Sequence, residues 1–539
     1  MVVSTQPWRW SAVDAELVIT GADVVGGAWM RRADVAVTGD RIVAVAADLP
    51  LTSARERIDG SGLLLAPGFV DLHAHSCLRV FDDPLLTPKL AQGFTTELTC
   101  PDGLGPAPVR PELVATRRQY LQALEPSTEA PWDWQSQADF LAAVDAARPA
   151  ANLVACVPHS AVRELAVGHG DRPADARETA QMQELVRAGF EAGARALSFG
   201  LIYAPGLYAD TAELVALAEV AAAYGAPLVP HVRNEAGGVL DAVGEFVKVA
   251  ERTGAPLHVS HVKLVGRPDL LTDLVDLLTR ASDCIDLTFD QYPYGAGSTL
   301  LAALLPPYAF EGGPIATLAR LRDRAERHRM ARDMERGLPG WENLYAACGP
   351  AGITVTQAAG CRAHDVGRSV ADITAATGSE PVLAVLNLLA ETDLDAGMID
   401  HYAAESVVRE IFTHPAALVG SDGVFHPHPH PRLYGTAAKV LGRYALRDRL
   451  IDVPEAVARL ATRPARLLGL TDRGRVAEGL RADLVLLDPH EYVDVAGYDD
   501  PHRTPPGVTA VFVGGRPVLR DGRHTQERPG AVTRTPRDR

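Results

Sequence analysis

The sequence predicts an α/β protein in which a (β/α) barrel is joined to a small β-domain assembled from both chain ends. Three observations carry this. Strand-like apolar runs alternate with helix-like stretches through the middle of the chain. Short β-branched runs with tight turns occur near both termini. Histidines and an aspartate recur where the middle strands should end.

On the N-terminal side, Glu16-Leu-Val-Ile-Thr, Asp34-Val-Ala-Val-Thr and Arg41-Ile-Val-Ala-Val read as strands, the last two joined by a Gly39-Asp40 turn. In the middle, Thr211 to Tyr224 has helical apolar spacing and leads into Ala226-Pro-Leu-Val-Pro-His. Leu240 to Arg252 leads in the same way into Pro256-Leu-His-Val-Ser-His, and Asp269 to Thr279 into Ile285-Asp-Leu-Thr-Phe-Asp. Repeated βα units imply a parallel sheet, and their number favours a barrel over an open sheet. From about 304 to 373 this rhythm breaks; the segment is rich in Arg, Gly and Ala, is long for a loop, and reads as an inserted lid or subdomain. On the C-terminal side, Ala482-Asp-Leu-Val-Leu-Leu-Asp, Val508-Thr-Ala-Val-Phe-Val, the Gly514-Gly515 turn and Pro517-Val-Leu repeat the texture of the N-terminal side. One shared β-domain accounts for both ends; two unrelated β-extensions are the alternative. The limits that follow are 1–65 and 470–539 for the β-domain and 66–469 for the barrel with its insertion.

A chain of 539 residues has room for three or four units, or for two if one is a large barrel. With 47% hydrophobic and 22% charged residues, a disordered chain is excluded. The net charge of −16, with no basic run to offset it, repels phosphate backbones, so nucleic acid is not an expected partner. No apolar stretch reaches the length of a membrane span, and Met1 to Asp14 lacks the parts of a signal peptide. Cys77, Cys100, Cys156, Cys284, Cys348 and Cys361 form no CxxC pair, so a cytoplasmic protein without a disulfide framework is expected. Only four lysines are present, Lys89, Lys248, Lys263 and Lys439, which limits any chemistry that needs one.

The strongest chemical signal is Gly68-Phe-Val-Asp-Leu-His73-Ala-His75. An apolar strand ends in two histidines two residues apart, and the strand period points both to one face. At the carboxyl end of a barrel strand that face is the active-site mouth, where two imidazoles suit a borderline metal such as zinc. His231 and His261 end two further apolar runs, and Asp422 closes Leu418-Val-Gly-Ser before a glycine turn. His258 and His261 are three apart and cannot both face inward; His261 lies nearer the strand end. Taken singly, each is explained by a satisfied polar side chain. Five on one face point to a metal site.

The order HxH, His, His, Asp at successive strand ends resembles the amidohydrolase superfamily. Longer strings narrow the resemblance to the N-acyl-D-amino-acid deacylases, or D-aminoacylases. They are Ala66-Pro-Gly-Phe-Val-Asp-Leu-His-Ala-His, Gln92-Gly-Phe-Thr-Thr, Trp132-Asp-Trp, Ser260-His-Val-Lys, Asp290-Gln-Tyr-Pro-Tyr-Gly-Ala-Gly-Ser-Thr, Gly420-Ser-Asp-Gly, His430-Pro-Arg-Leu-Tyr-Gly and Asp472-Arg-Gly. The resemblance spans about residue 15 to 530. It implies an α/β fold with a (β/α)8 TIM-like barrel and a small β-sandwich built from both chain ends. It also implies one or two Zn2+ ions held by His73, His75, His231, His261, Asp422 and one further ligand; a carboxylate as that ligand would also admit Mn2+ as a substitute. In many D-aminoacylases that ligand is a cysteine. Ungapped counting from Gln92 places Asp102 there, with Cys100 as the rival two residues earlier; Pro101 prevents the strand period from choosing. The carboxylated lysine that bridges two metals in many amidohydrolases has no counterpart in Ala194-Arg-Ala-Leu-Ser-Phe-Gly.

The activity implied is hydrolysis of an N-acyl-D-amino acid, or a related N-acylated carboxylate, by metal-activated water. Asp422 takes the water's proton and passes it on, unless its role is ligation alone. By resemblance Lys263, Tyr292, Ser298 and Arg432 bind the substrate carboxylate, with ordinary surface cations the alternative for Lys263 and Arg432. The runner-up activity is hydrolysis of a cyclic amide, as in hydantoinases or dihydroorotases; a non-catalytic scaffold on the same fold is the third reading. The expected partner is a small N-acyl amino acid, with no nucleic acid or membrane, acting on a monomer or homo-oligomer. The run His426-Pro-His-Pro-His430 reads as an extended loop, Trp132 and Trp134 as packing, Cys77 and Cys156 as small core residues, and His159 and Arg163 have no assigned role.

Overall fold

The β-branched runs on the N-terminal side form β1 (Val13–Val25), β2 (Met30–Thr38), β3 (Arg41–Ala46), β4 (Leu51–Asp59) and β5 (Leu64–Pro67). The computed structural model from which they are taken describes residues 13–27 and 29–534. The signal-peptide reading of residues 1–12 and the last tail residues, 535–539, lie outside the described residues. β1 is long enough to pair with β4 along its first part and with β5 along its second. The pairing of β1 with β2 shifts between Ile19 and Ala22, at a bulge where Gly21 takes φ +66°. The Gly39-Asp40 turn closes β2 onto β3 with Thr38 opposite Arg41.

The barrel follows as parallel strands β6 (Phe69–His75), β7 (Phe94–Thr99), β8 (Asn152–Pro158), β9 (Ala196–Gly200), β10 (Leu228–His231), β11 (Leu257–Val259) and β12 (Leu287–Gln291). β6 to β11 are buried at every position, as expected for strands covered on both faces. The helices Thr211–Ala223, Val239–Thr253 and Leu271–Ser282 lie where the apolar spacing predicts them, each returning the chain to the next strand.

Between the seventh and eighth barrel strands the chain makes a long excursion. Its strands β13 (Ala296–Leu300), β14 (Ile353–Ala358) and β15 (Ala396–His401) form an antiparallel sheet in the order β13-β15-β14. The helices Gly313–Arg322, Arg324–Arg336, Leu344–Cys348, Val370–Thr377 and Pro381–Glu391 fill the rest. Two of these three strands lie outside the 304–373 limits, because flanking apolar runs look the same in sequence whether they pair with the barrel or with one another.

β16 (Ala417–Val419) and β17 (Gly423–Val424) are two halves of the last barrel strand, interrupted at 420–422. β16 pairs with β12 and β17 with β6, which closes the ring. The C-terminal runs form β18 (Leu484–Leu487), β19 (Val508–Val513), β20 (Arg516–Arg520) and β21 (Arg523–His524). β18 pairs with β5, so strands from both ends build one sheet in the order β21-β20-β19-β18-β5-β1-β2-β3, with β4 on β1. Asp483 ties this sheet to the barrel: its carbonyl accepts from Gly68 N at 2.7 Å, and its carboxylate accepts from Asn152 Nδ2 at 3.3 Å. Among the described residues, no single helix is long and apolar enough to cross a membrane.

Candidate metal centre and active site

The barrel delivers six of the expected residues to one point. His73 and His75 end β6, and His231 ends β10. Asp102 lies three residues beyond β7, His261 two beyond β11, and Asp422 in the gap between β16 and β17. All are buried. Asp102, His261 and Asp422 have φ of 54°, 33° and 50°. A side chain held in this region costs on the order of 1–3 kcal/mol, which is tolerated where the surroundings enforce a functional geometry.

Asp102 is the centre of the cluster. Its Oδ2 lies 3.4 Å from His73 Nε2 and 3.6 Å from His75 Nε2. Its Oδ1 lies 3.6 Å from His231 Nδ1 and 3.4 Å from His261 Nε2. Asp422 Oδ1 completes the first group, 3.6 Å from His73 Nε2 and 3.2 Å from His75 Nε2. One oxygen of Asp102 thus faces each histidine pair. Cys100, the rival, points elsewhere: its buried thiol meets Cys77. The chain takes φ 58° at Cys100 and 54° at Asp102, and this double left-handed turn around Pro101 separates the two side chains. The turn nests against β9, where Ser198 Oγ donates to Cys100 O at 2.7 Å and accepts from Gly103 N at 3.2 Å. A Cβ on Gly200 would stand 1.8 Å from Asp102 O, so glycine is needed for this approach.

The donor set fits a divalent ion. His73 Nε2, His75 Nε2, Asp102 Oδ1 and His231 Nδ1 point into the cluster, buried and without a hydrogen-bond partner among the described residues. An unsatisfied buried polar group costs about 1–3 kcal/mol, so four such atoms converging on one point suit a bound ion. Ligand atoms about 3.4 Å apart match the edge of a tetrahedron with bonds of about 2.1 Å. Outer carboxylates orient the rings: Glu125 Oε1 lies 3.3 Å from His75 Nδ1 and Glu235 Oε1 3.0 Å from His261 Nδ1, leaving each Nε2 for the centre. Burial disfavours charge on His261, as does the Lys263 ammonium, yet Glu235 and Asp102 outweigh both and push it up to about 10. His231 is pushed down, first by burial and then by His261 against the pull of Glu235. Burial alone would raise the Asp422 carboxyl; the Arg432 guanidinium and His73 hold it well below the usual carboxylate range. Ligation by the histidines needs neutral imidazoles, so an entering ion must release protons.

The four residues expected at the carboxylate subsite stand beside this cluster. Arg432 opens the helix Arg432–Ala437 and is fully buried. Its Nη2 lies 3.0 Å from Asp422 Oδ1 and donates to Ser298 O at 2.8 Å, and its guanidinium lies over the Tyr292 ring at 4.3 Å. Arg432 Nε and Nη1, Tyr292 Oη and Ser298 Oγ are buried and unpartnered among the described residues. Lys263 differs. Its ammonium donates to Glu235 Oε2 at 2.6 Å and is thereby engaged by the carboxylate that also orients His261.

Sequence reasoning missed several participants. Glu235, four residues after His231, had a local signal; Glu125 and Glu342 had none. Glu342 comes from the excursion, and burial pushes its carboxyl up to about 8, with Glu235 adding to the rise. Asp290 bonds His258 Nε2 at 3.1 Å behind His73, so His258 supports the site and does not ligate. Asp71 accepts from Lys89 Nζ at 2.6 Å and from Ser421 N at 2.7 Å, which locks β6 to the broken eighth strand.

The remaining features are structural. His426 bonds Thr356 and Ala123 O, and His430 Nδ1 accepts from Arg432 N, within a segment between β17 and the Arg432 helix that forms no regular element. Trp134 Nε1 donates to Pro106 O, packed against Trp132. His159 and Arg163 both bond Glu213. Cys77 and Cys156 are buried.

Known proteins share this architecture. A sequence model described as the amidohydrolase family matches residues 56–519. The chain is 34% identical over 527 residues to N-acyl-D-glutamate deacylase of Alcaligenes xylosoxydans xylosoxydans, covering 96% of each. The crystal structure of a D-aminoacylase superposes with a TM-score of 0.81 at 29% identity, covering 97% of this chain and 100% of that one. A structure of N-acyl-D-glutamate deacylase from Bordetella bronchiseptica, complexed with zinc and a phosphonate mimic of the tetrahedral intermediate, gives 0.81 at 32% identity over 97% of this chain and 100% of that one.

Proposed function

The chain belongs to the amidohydrolase family, and from that premise we propose that it hydrolyses the amide bond of N-acyl-D-amino acids to a carboxylate and a free amine. One observation carries this reading. A six-residue donor cluster split by the two oxygens of Asp102 lies directly beside four unpartnered donors from Arg432, Tyr292 and Ser298. A metal cluster alone would suit many hydrolases; a carboxylate cradle attached to it suits a substrate with a free carboxylate.

We assign His73, His75, Asp102, His231, His261 and Asp422 as the residues that would hold zinc. The Asp102 carboxylate, harder than a thiolate, also makes manganese acceptable. Bound there, a divalent ion supplies Lewis acidity toward the amide carbonyl and lowers the pKa of water. The residues do the rest. Arg432, Tyr292 and Ser298 hold the substrate carboxylate and so fix the scissile amide against the cluster. Asp422, kept ionised by Arg432, accepts a proton from water and returns it to the leaving nitrogen as the C–N bond breaks. Lys263 holds Glu235, and through it the ring of His261. All six cysteines are free, which supports a reducing, cytoplasmic setting.

The test is amine release from matched N-acetyl-D- and N-acetyl-L-amino acids, with hydantoin and dihydroorotate alongside, and metal content measured on the same protein. Release from the D-series by zinc-containing protein is expected. Turnover of the cyclic amides alone would overturn the reading.

A further inference from the structure

We propose that the preferred substrate carries a single carboxylate and a large apolar substituent, seated in a chamber between the barrel mouth and the excursion. This rests on the deacylase reading above. The cavity lined by His75, Asp102, His231, Tyr292 and Arg432 is small, about 30 Å³, so beside the reacting amide and its carboxylate it leaves no room for a large substituent. A second cavity of about 430 Å³ shares Ile202, Glu342 and Leu344 with it. What does not fit at the metal cluster therefore extends past these three residues. Its size falls within the range of small-molecule pockets. Leu207, Tyr208, Tyr308, Phe310, Leu338 and Trp341 give it an apolar, aromatic wall.

A second carboxylate, on the side chain or the acyl group, finds no counter-charge there. Among the described residues lining the chamber, the one cation is Arg233. Its Nε donates to Glu245 Oε2 at 2.7 Å and its Nη2 to Ala209 O at 2.5 Å, so it is already engaged. Lys263 is held by Glu235, and Arg432 by Asp422 and the cradle. At the throat, buried Glu342 accepts from Glu235 N at 2.7 Å through Oε1, while Oε2 has no partner among the described residues. In either protonation state it brings no positive charge. A carboxylate in the chamber meets no free cation and faces the acidic side chains of Asp171 and Glu342, whereas an alkyl or aryl group packs on the apolar wall without that penalty.

The experiment measures kcat/KM on zinc-loaded enzyme for N-acetyl-D-phenylalanine, N-acetyl-D-leucine and N-octanoyl-D-alanine against N-acetyl-D-glutamate, N-acetyl-D-aspartate and N-succinyl-D-alanine. The monocarboxylates are expected to lead by at least about 100-fold, a ratio within reach of differential pocket binding. Leu338→Arg, which places a cation on the chamber wall, should raise the ratio of dicarboxylate to monocarboxylate turnover at least about tenfold. Dicarboxylates turned over within tenfold of the others by the wild type, or an unmoved ratio in Leu338→Arg, would overturn the inference while leaving the deacylase reading standing. Absence of turnover with every substrate would overturn that reading and this inference with it.

Discussion

Asp422 offers a single carboxylate to three neighbours, with Oδ1 3.0 Å from Arg432 Nη2, 3.2 Å from His75 Nε2 and 3.6 Å from His73 Nε2. If it moves the proton as well as ligating, Asp422→Asn retains much of the metal and lowers kcat by about 10²–10⁴-fold, the range for lost general acid–base catalysis. Single-turnover kinetics with metal analysis checks this; near-normal turnover with metal bound would leave ligation as its only role. Asp102 and Cys100 give a sharper pair. Asp102→Ala should lose metal and activity together, because one oxygen faces each histidine pair. Cys100→Ala should keep both, at a packing cost of about 1 kcal/mol for a small buried side chain. Loss of metal in Cys100→Ala alone would restore thiolate ligation. For the cradle, Arg432→Ala should cost about 2–5 kcal/mol in kcat/KM for free-carboxylate substrates and less for their methyl esters. Equal losses on acid and ester would remove Arg432 from carboxylate recognition. Lys263→Ala should weaken metal retention as well as use of the free carboxylate, since its ammonium bonds Glu235 and lines the same cavity as Tyr292, Ser298 and Arg432.

The elements are held around the site by buried ion pairs that the residue pattern conceals. In the helix Val114–Leu121, Arg117 reaches the helix His159–Ala166, where its Nε donates to Glu164 Oε2 at 2.7 Å while His169 Nε2 lies 2.9 Å from Oε1. Burial opposes ionisation of Glu164, but Arg117 and then His169 prevail and lower its carboxyl to about 2 from 4.5. A lowered folded-state pKa means that this contribution is complete above the unfolded value and is lost as pH falls from 4.5 toward 2. Glu164→Gln should therefore cost about 3–5 kcal/mol at pH 7, the usual result of leaving a buried partner unpaired. The gap from wild type should shrink as acid protonates the native carboxylate. Urea midpoints between pH 7 and pH 3 check this; a gap that does not change with pH would rule out the ion pair as its source. The helix–strand alternation of 211–291 was legible because its apolar spacing repeats. The antiparallel sheet of β13, β14 and β15 was not, because two of its strands are separated by most of the excursion and nothing local marks their pairing.

At the scale of the molecule, the chain ends meet. β5 lies between β1 and β18, and Asp483 links the joint sheet to Gly68 and Asn152 of the barrel. A chain ending at residue 480 would lose β18 to β21 and expose one edge of β5 together with the apolar face against it. That truncation should be insoluble or aggregated although every proposed ligand is retained, as size-exclusion chromatography would show. A monodisperse, metal-binding truncation would show that the barrel stands without the sheet.

Strand-end histidines two residues apart, the Asp422 turn and the matching β-branched ends were fixed by local sequence, because side-chain period and turn chemistry are local properties. They were enough for the fold class and for five of the six converging residues from pattern alone. The tertiary structure decided the rest. It chose Asp102 over Cys100 for the cluster through two left-handed residues about Pro101 and a close approach to Gly200. It set Lys263 on Glu235, and it brought Glu125, Asp290 and Glu342 to the site from distant segments. These depend on which strand ends lie side by side around a closed barrel, and that adjacency is a long-range property that no spacing along the chain contains.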